Sequence, residues 1–99
     1  MSDGIILRPL TPRFEECLAA ASREAADQAK RIHMRYRPFA SAHETYGVIA
    51  EELAEYFDAI RAKREYRNPI NIRGELIDIA CAALRRVAEL DAEVAGDGS

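Results

Sequence analysis

Apolar residues recur every three or four positions in three stretches of the chain, and proline-containing joints separate the stretches. In the first, Phe14, Leu18, Ala21, Ala25, Ala29 and Ile32 share one stripe, while Glu16, Arg23, Asp27 and Lys30 lie opposite. This predicts an amphipathic helix from about Pro12 to His33. Thr11 is its N-cap, and Pro12 sits in the first turn, where its missing N–H has no helical partner to lose. In the second stretch, Tyr46, Ile49, Leu53, Phe57 and Ile60 form the core stripe of a helix from about Ala42 to Arg64, with Tyr56 beside it. Ser41 and Glu44 stand at capping-box spacing ahead of it. In the third, Ile72, Leu76, Ile79, Ala83, Val87 and Leu90 make the core stripe of a helix from about Pro69 or Asn71 to Glu93. Asn68 and Asn71 are placed either to cap it or to read a base or sugar edge.

The third helix carries a second apolar strip, Ile77, Cys81, Leu84 and Ala88. A helix apolar on two sides is buried on two sides, and three helices alone do not supply that cover. The pattern therefore predicts an all-α fold: three main helices in a bundle completed by oligomerisation. The whole chain, residues 1–99, reads as one domain, with an N-terminal arm over residues 1–11 and a disordered tail over residues 96–99. Ile5, Ile6 and Leu7 give the arm an apolar segment that can pack across a neighbour.

Composition narrows the function classes. A net charge of −3 argues against a nucleic-acid coat, and 48% apolar residues fit a globular domain. No segment reads as a signal peptide or a membrane span, so a cytoplasmic protein, or one in a host cytoplasm if the gene is viral, is expected. Cys17 and Cys81 follow no metal or redox spacing and read as small core residues. His33 and His43 lack ligand spacing and are assigned to capping or packing. The aromatic residues Tyr36, Phe39, Tyr46, Tyr56 and Tyr66 are assigned to core or interface, and one could stack on a base.

The acids carry the chemistry. The second predicted helix holds Glu51, Glu52 and Glu55, and the third holds Glu75 and Asp78. A three-residue step turns about 60° around a helix, so Glu52 with Glu55, and Glu75 with Asp78, share neighbouring ground. No Lys or Arg stands three or four residues from Glu52, Glu55, Glu75 or Asp78, so helical ion pairing does not account for them. Glu89, by contrast, has Arg85 and Arg86 in reach and reads as an ordinary surface pair. If the two helices pack antiparallel, the four carboxylates face each other across one seam. Crowded like charges need something positive between them, and a hard divalent cation such as Mg²⁺, with Mn²⁺ as substitute, suits oxygen ligands. The sequence thus assigns Glu52, Glu55, Glu75 and Asp78 to metal. A di-iron bundle is excluded because no Glu-x-x-His pair exists.

The EExxE of Glu51 to Glu55 precedes, after an interval of 19 residues, the ExxD of Glu75 to Asp78. This pairing resembles the MazG-like all-α nucleoside triphosphate pyrophosphohydrolases, over about half the chain, from His43 to Leu90. The resemblance implies Mg²⁺-dependent cleavage of the α–β phosphoanhydride, giving monophosphate and pyrophosphate, by a homodimer or dimer of dimers. It implies Glu52, Glu55, Glu75 and Asp78 as metal ligands. Glu51 and Glu52 become catalytic, with Glu51 either a further ligand or the base that orients water. The His43–Glu44 start of the second helix is similar to short phage-encoded members, some of which act on dGTP, so a purine deoxynucleotide is the favoured substrate. Basic residues near the joints supply phosphate contacts, with Arg64 and Arg67 favoured for two-pronged binding and Asn71 beside them. A non-enzymatic helical homodimer, acting as a regulatory or assembly module, explains the apolar stripes equally well but not the unpaired acids.

Overall fold

The computed structural model describes residues 7–96, the side chain of Arg64 excepted. Ile5, Ile6 and the last three tail residues lie outside the described residues, and Leu7 is exposed. The fold is all-α: α1 (Pro12–Arg35), α2 (Ala42–Arg61) and α3 (Pro69–Val94), with a single 3-10 turn at Arg64–Tyr66. Local chemistry sets the starts. The Thr11 hydroxyl accepts from the Phe14 N–H, the Ser41 hydroxyl from Glu44 N–H, and the Asn68 side chain from Ile70 N–H. The Glu44 carboxylate reaches back to Ala40 N–H at 2.6 Å, one residue earlier than a regular capping box, because Arg37 also holds it by two hydrogen bonds of 3.0 and 2.7 Å. Arg37 and the Ala40 amide bring the Glu44 carboxyl down to about 2.

The ends differ slightly from expectation. α1 runs to Arg35 and stops before Arg37–Pro38, where the residue preceding proline is kept out of the helical region. α2 ends at Arg61 rather than Arg64. Ala62 turns extended there, and the Arg67 guanidinium donates to the Ala62 carbonyl at 3.0 Å, fastening the tight joint that leads into α3. Gly96, at φ +75°, follows the last turn of α3 in the left-handed conformation that ends many helices.

α3 is the hub. α1 lies along it in the same direction, tied by Arg73–Glu24 near one end and by His33 near Glu89 at the other. α2 runs antiparallel, so Phe39 before its start meets Glu89 and Glu52 meets Asp78. α1 and α2 both pack on α3 and not on each other. The buried apolar set is correspondingly small: Ala25, Phe39, Ile77, Cys81 and Ala82. Cys81 and the alanines of α1 are small enough to let the two backbones approach closely.

Several expected core positions are not core in the single chain. Phe14, Leu18, Leu53, Phe57, Leu76, Val87 and Leu90 are all more than two-fifths exposed, and the secondary strip of α3, through Ile77 and Cys81, provides the packed face instead. The reason is that α1 and α2 occupy two sectors of α3 and leave a third sector open. On antiparallel helices advancing about 100° per residue, the exposed apolar rows of α2 and α3 fall on the same side of their shared seam. They form one continuous apolar face. Cys17, expected in the core, is exposed. Tyr36, Tyr46 and Tyr66 are exposed too, while Phe39 is buried.

Glu89 is also a correction. Its side chain is only 6% exposed, and it is bonded to Arg85 Nε at 3.0 Å and to the Phe39 N–H at 2.9 Å. The α1–α2 joint folds over this part of α3, and the Arg85 guanidinium stacks 3.9 Å from the centre of the Phe39 ring. What the spacing presents as a surface pair is the anchor of that joint.

Candidate metal centre

The antiparallel packing of α2 on α3 brings the two acidic motifs to one level. Glu52, on the α3-facing side of α2, meets Glu75 and Asp78 of α3, and one carboxylate oxygen from each lies within 4.8 Å of the others. Glu55, one turn on, lies outside this three-residue group, but its charge acts on both Glu52 and Glu75. All four metal-assigned acids are thus neighbours. Among the described residues none of them makes a salt bridge. Glu52 Oε2 and Glu75 Oε2 are buried without any hydrogen-bond partner. A buried carboxylate oxygen left unpaired is costly, and these two face a cluster that can only repel them.

The repulsion shows in the protonation equilibria. Burial, followed by the charges of Glu55 and Asp78, pushes the Glu52 carboxyl up to about 7. Burial and the same two neighbours also raise Glu75. Both shifts favour the protonated form in the folded chain. Between the ordinary carboxyl value of 4.5 and about 7, the folded state holds a proton on Glu52 that the unfolded chain has released, so stability falls as pH rises through that window. Without divalent cations, the melting temperature is expected to be higher near pH 5 than near pH 7.5. A melt series in which stability climbs across this range would contradict the crowded, partly protonated cluster.

The acids border two spaces. An open cleft of about 540 Å³ lies over α3 between α1 and α2, with Glu55, Glu75 and Asp78 on its wall and Tyr66, Asn68 and Asn71 at the α2–α3 joint. A smaller cavity of about 210 Å³ lies behind it and includes Glu52, Cys81 and Arg85. No Lys or Arg side chain lines the cleft among the described residues. Arg85, in the inner cavity, is already held by Glu89.

The remaining sequence-assigned residues are distributed unevenly. Asn71 lines the cleft, in reach of a ligand there. Arg67 is turned onto the Ala62 carbonyl and lines neither space. The Arg64 side chain lies outside the described residues. Glu51 is exposed and stands apart from the three-residue cluster, because one residue back from Glu52 turns it away from α3. Two residues of α1 that spacing does not single out, Glu24 and Gln28, line the cleft, and Gln28 Nε2 donates to Asp78 Oδ1 at 2.8 Å. Their only sequence signal is polarity at the edge of an alanine stripe. In comparisons with known proteins, no family model, curated protein or solved structure matches the chain.

Proposed function

We propose that the chain is a Mg²⁺-dependent nucleoside triphosphate pyrophosphohydrolase that releases pyrophosphate and a monophosphate, with a purine deoxynucleotide such as dGTP as favoured substrate. The observation that carries this reading is the pair of buried, unpartnered oxygens on Glu52 and Glu75 beside Asp78. An all-carboxylate donor set with unused oxygens fits a hard divalent cation, Mg²⁺ or Mn²⁺. Glu52, Glu55, Glu75 and Asp78 would hold it. When bound, such a cation supplies positive charge to phosphate oxygens and to the leaving pyrophosphate.

The protein's own groups have defined tasks in this reading. The cleft is wide enough to admit a phosphate chain at its acidic wall, while Tyr66 and Asn71 stand where base or sugar would rest. Glu52, whose Oε2 is buried and unpartnered, would accept a proton from the attacking water at that oxygen. Glu51, facing solvent, is left a secondary role at most in this geometry, and Arg67 contributes to phosphate binding only by leaving the Ala62 carbonyl. Incubation with each dNTP and Mg²⁺, followed by product separation, tests the proposal. Pyrophosphate with monophosphate is expected. Orthophosphate would overturn cleavage at the α–β anhydride, and no turnover with any nucleotide would leave the non-enzymatic helical dimer as the better reading.

The same proposal includes a homodimer or dimer of dimers, supported by surface area. A compact monomer of this mass exposes roughly 5,700 Å², against 8143 Å² for this chain. The radius of gyration is 16.8 Å, where a compact chain of this length has about 13 Å. The excess is on the order of 2,000 Å², the scale of an obligate interface, and the open apolar face of α2 and α3 is where a second copy would bury it. Light scattering at micromolar concentration is expected to give at least twice the 11.1 kDa of the chain, and a stable monomer would overturn this part. Among the described residues no helix is long and apolar enough to cross a membrane, and a cytoplasmic setting belongs to the same proposal.

A further inference from the structure

We infer that Gln28 is a positioning residue for the candidate cation site: its amide pins one oxygen of Asp78 and leaves the other to the cation. The inference rests on the divalent-cation reading proposed above. α1 faces α3 with Ala21, Ala25, Ala29 and Ile32, and Gln28 is the uncharged polar residue at the edge of that face. The alanines bring α1 close enough for Gln28 Nε2 to donate to Asp78 Oδ1 at 2.8 Å, across 50 residues of sequence. A carboxylate only accepts, so the nitrogen of the amide must face it. Gln28 and Asp78 are also the two residues that border both the open cleft and the inner cavity, so the bond sits on the wall between the two spaces.

The residue type fits the task. A lysine or arginine at this position would neutralise Asp78 and compete with the cation. A carboxylate would add to the crowding, and an apolar side chain would leave Asp78 free to turn about its side-chain bonds. A neutral donor holds one oxygen without supplying the charge that the cluster lacks. Outer hydrogen bonds of this kind orient metal-binding carboxylates. As a mere strut between α1 and α3 the bond would be redundant, because Arg73 and Glu24 already join the two helices by hydrogen bonds of 3.1 and 2.7 Å about one turn away.

Gln28→Met keeps the reach of the side chain and removes the donor. By isothermal titration calorimetry its Mn²⁺ affinity is expected to fall at least ~10-fold below that of the unmodified chain. Arg73→Met breaks the neighbouring Arg73–Glu24 tie between the same two helices without touching the donor or the alanine contact, and it should bind Mn²⁺ as the unmodified chain does. Wild-type affinity in Gln28→Met, or an equal loss in Arg73→Met, would overturn the inference. If Gln28→Met loses its helical circular dichroism, Gln28→Asn takes its place: it is one methylene short of Asp78, and full affinity in that variant would overturn the inference equally. An unmodified chain that binds no Mn²⁺ would remove the cation site, and the inference with it, whereas failure of the variants alone leaves the proposed function standing.

Discussion

Asp78→Asn is expected to abolish nucleotide turnover while the chain stays folded. Asparagine preserves the shape of the side chain and can still pair with Gln28, but it removes the charge that draws a cation toward Glu52 and Glu75. Losing an outer-sphere partner typically costs 10- to 100-fold, so losing a ligand itself should cost more than ~100-fold in kcat/KM. Glu52→Gln and Glu75→Gln should behave alike, since these acids meet Asp78 in one cluster, and Glu55→Gln should follow them because its charge acts on both. Glu93→Gln, on the exposed last turn of α3, serves as the control and should remain active. In metal-free buffer at neutral pH the Asp78→Asn protein should melt at or above the temperature of the unmodified chain, because one of the crowded charges is gone. Near-normal rates at saturating Mg²⁺ and nucleotide would sink the assignment. Inactivity accompanied by loss of helical circular dichroism would show a structural role instead.

Glu89→Ala should unfold the protein far more readily than any change in the acidic cluster. The carboxylate is almost fully buried and bridges Arg85 and the Phe39 N–H. Its removal leaves a guanidinium that is only 13% exposed without its partner and an amide without an acceptor. Breaking a buried pair from one side costs about 3 kcal/mol or more. For a chain of this size that is a fall in Tm on the order of 10–20 °C. Glu89→Gln should cost less, because it retains an oxygen for Phe39 while giving up the charge that faces Arg85. A Tm for Glu89→Ala close to that of the unmodified chain would mean that the α1–α2 joint is not anchored as described. The position is therefore unsuited as an inert control for the metal cluster, although its i,i+4 spacing to Arg85 suggests one.

Local chemistry was enough to lay out the helices. Thr11, Ser41 and Asn68 cap them, prolines open α1 and α3 and interrupt the α1–α2 joint, and the three- and four-residue periodicity spans their lengths. These signals act over a single turn, so the sequence exposes them directly. The acidic motifs were legible for the same reason. Three-residue spacing places Glu52 with Glu55 and Glu75 with Asp78, and the absence of a basic residue one turn away marks them as unpaired.

Tertiary structure decided which apolar side of each helix is covered. Periodicity identifies an apolar row but does not say where a partner lies. On α3, two rows were available, and the small residues of α1 settled against Ile77 and Cys81, leaving Leu76, Val87 and Leu90 open. It likewise decided that Glu89 is an anchor rather than a surface acid, that Cys17 is exposed, and that Glu51 stands apart from its neighbours. The meeting of Gln28 with Asp78 was beyond the sequence altogether. A hydrogen bond across 50 residues depends on the distance and rotation at which two helices pack. Those are fixed by the volumes of every side chain between them, and no local pattern carries that sum.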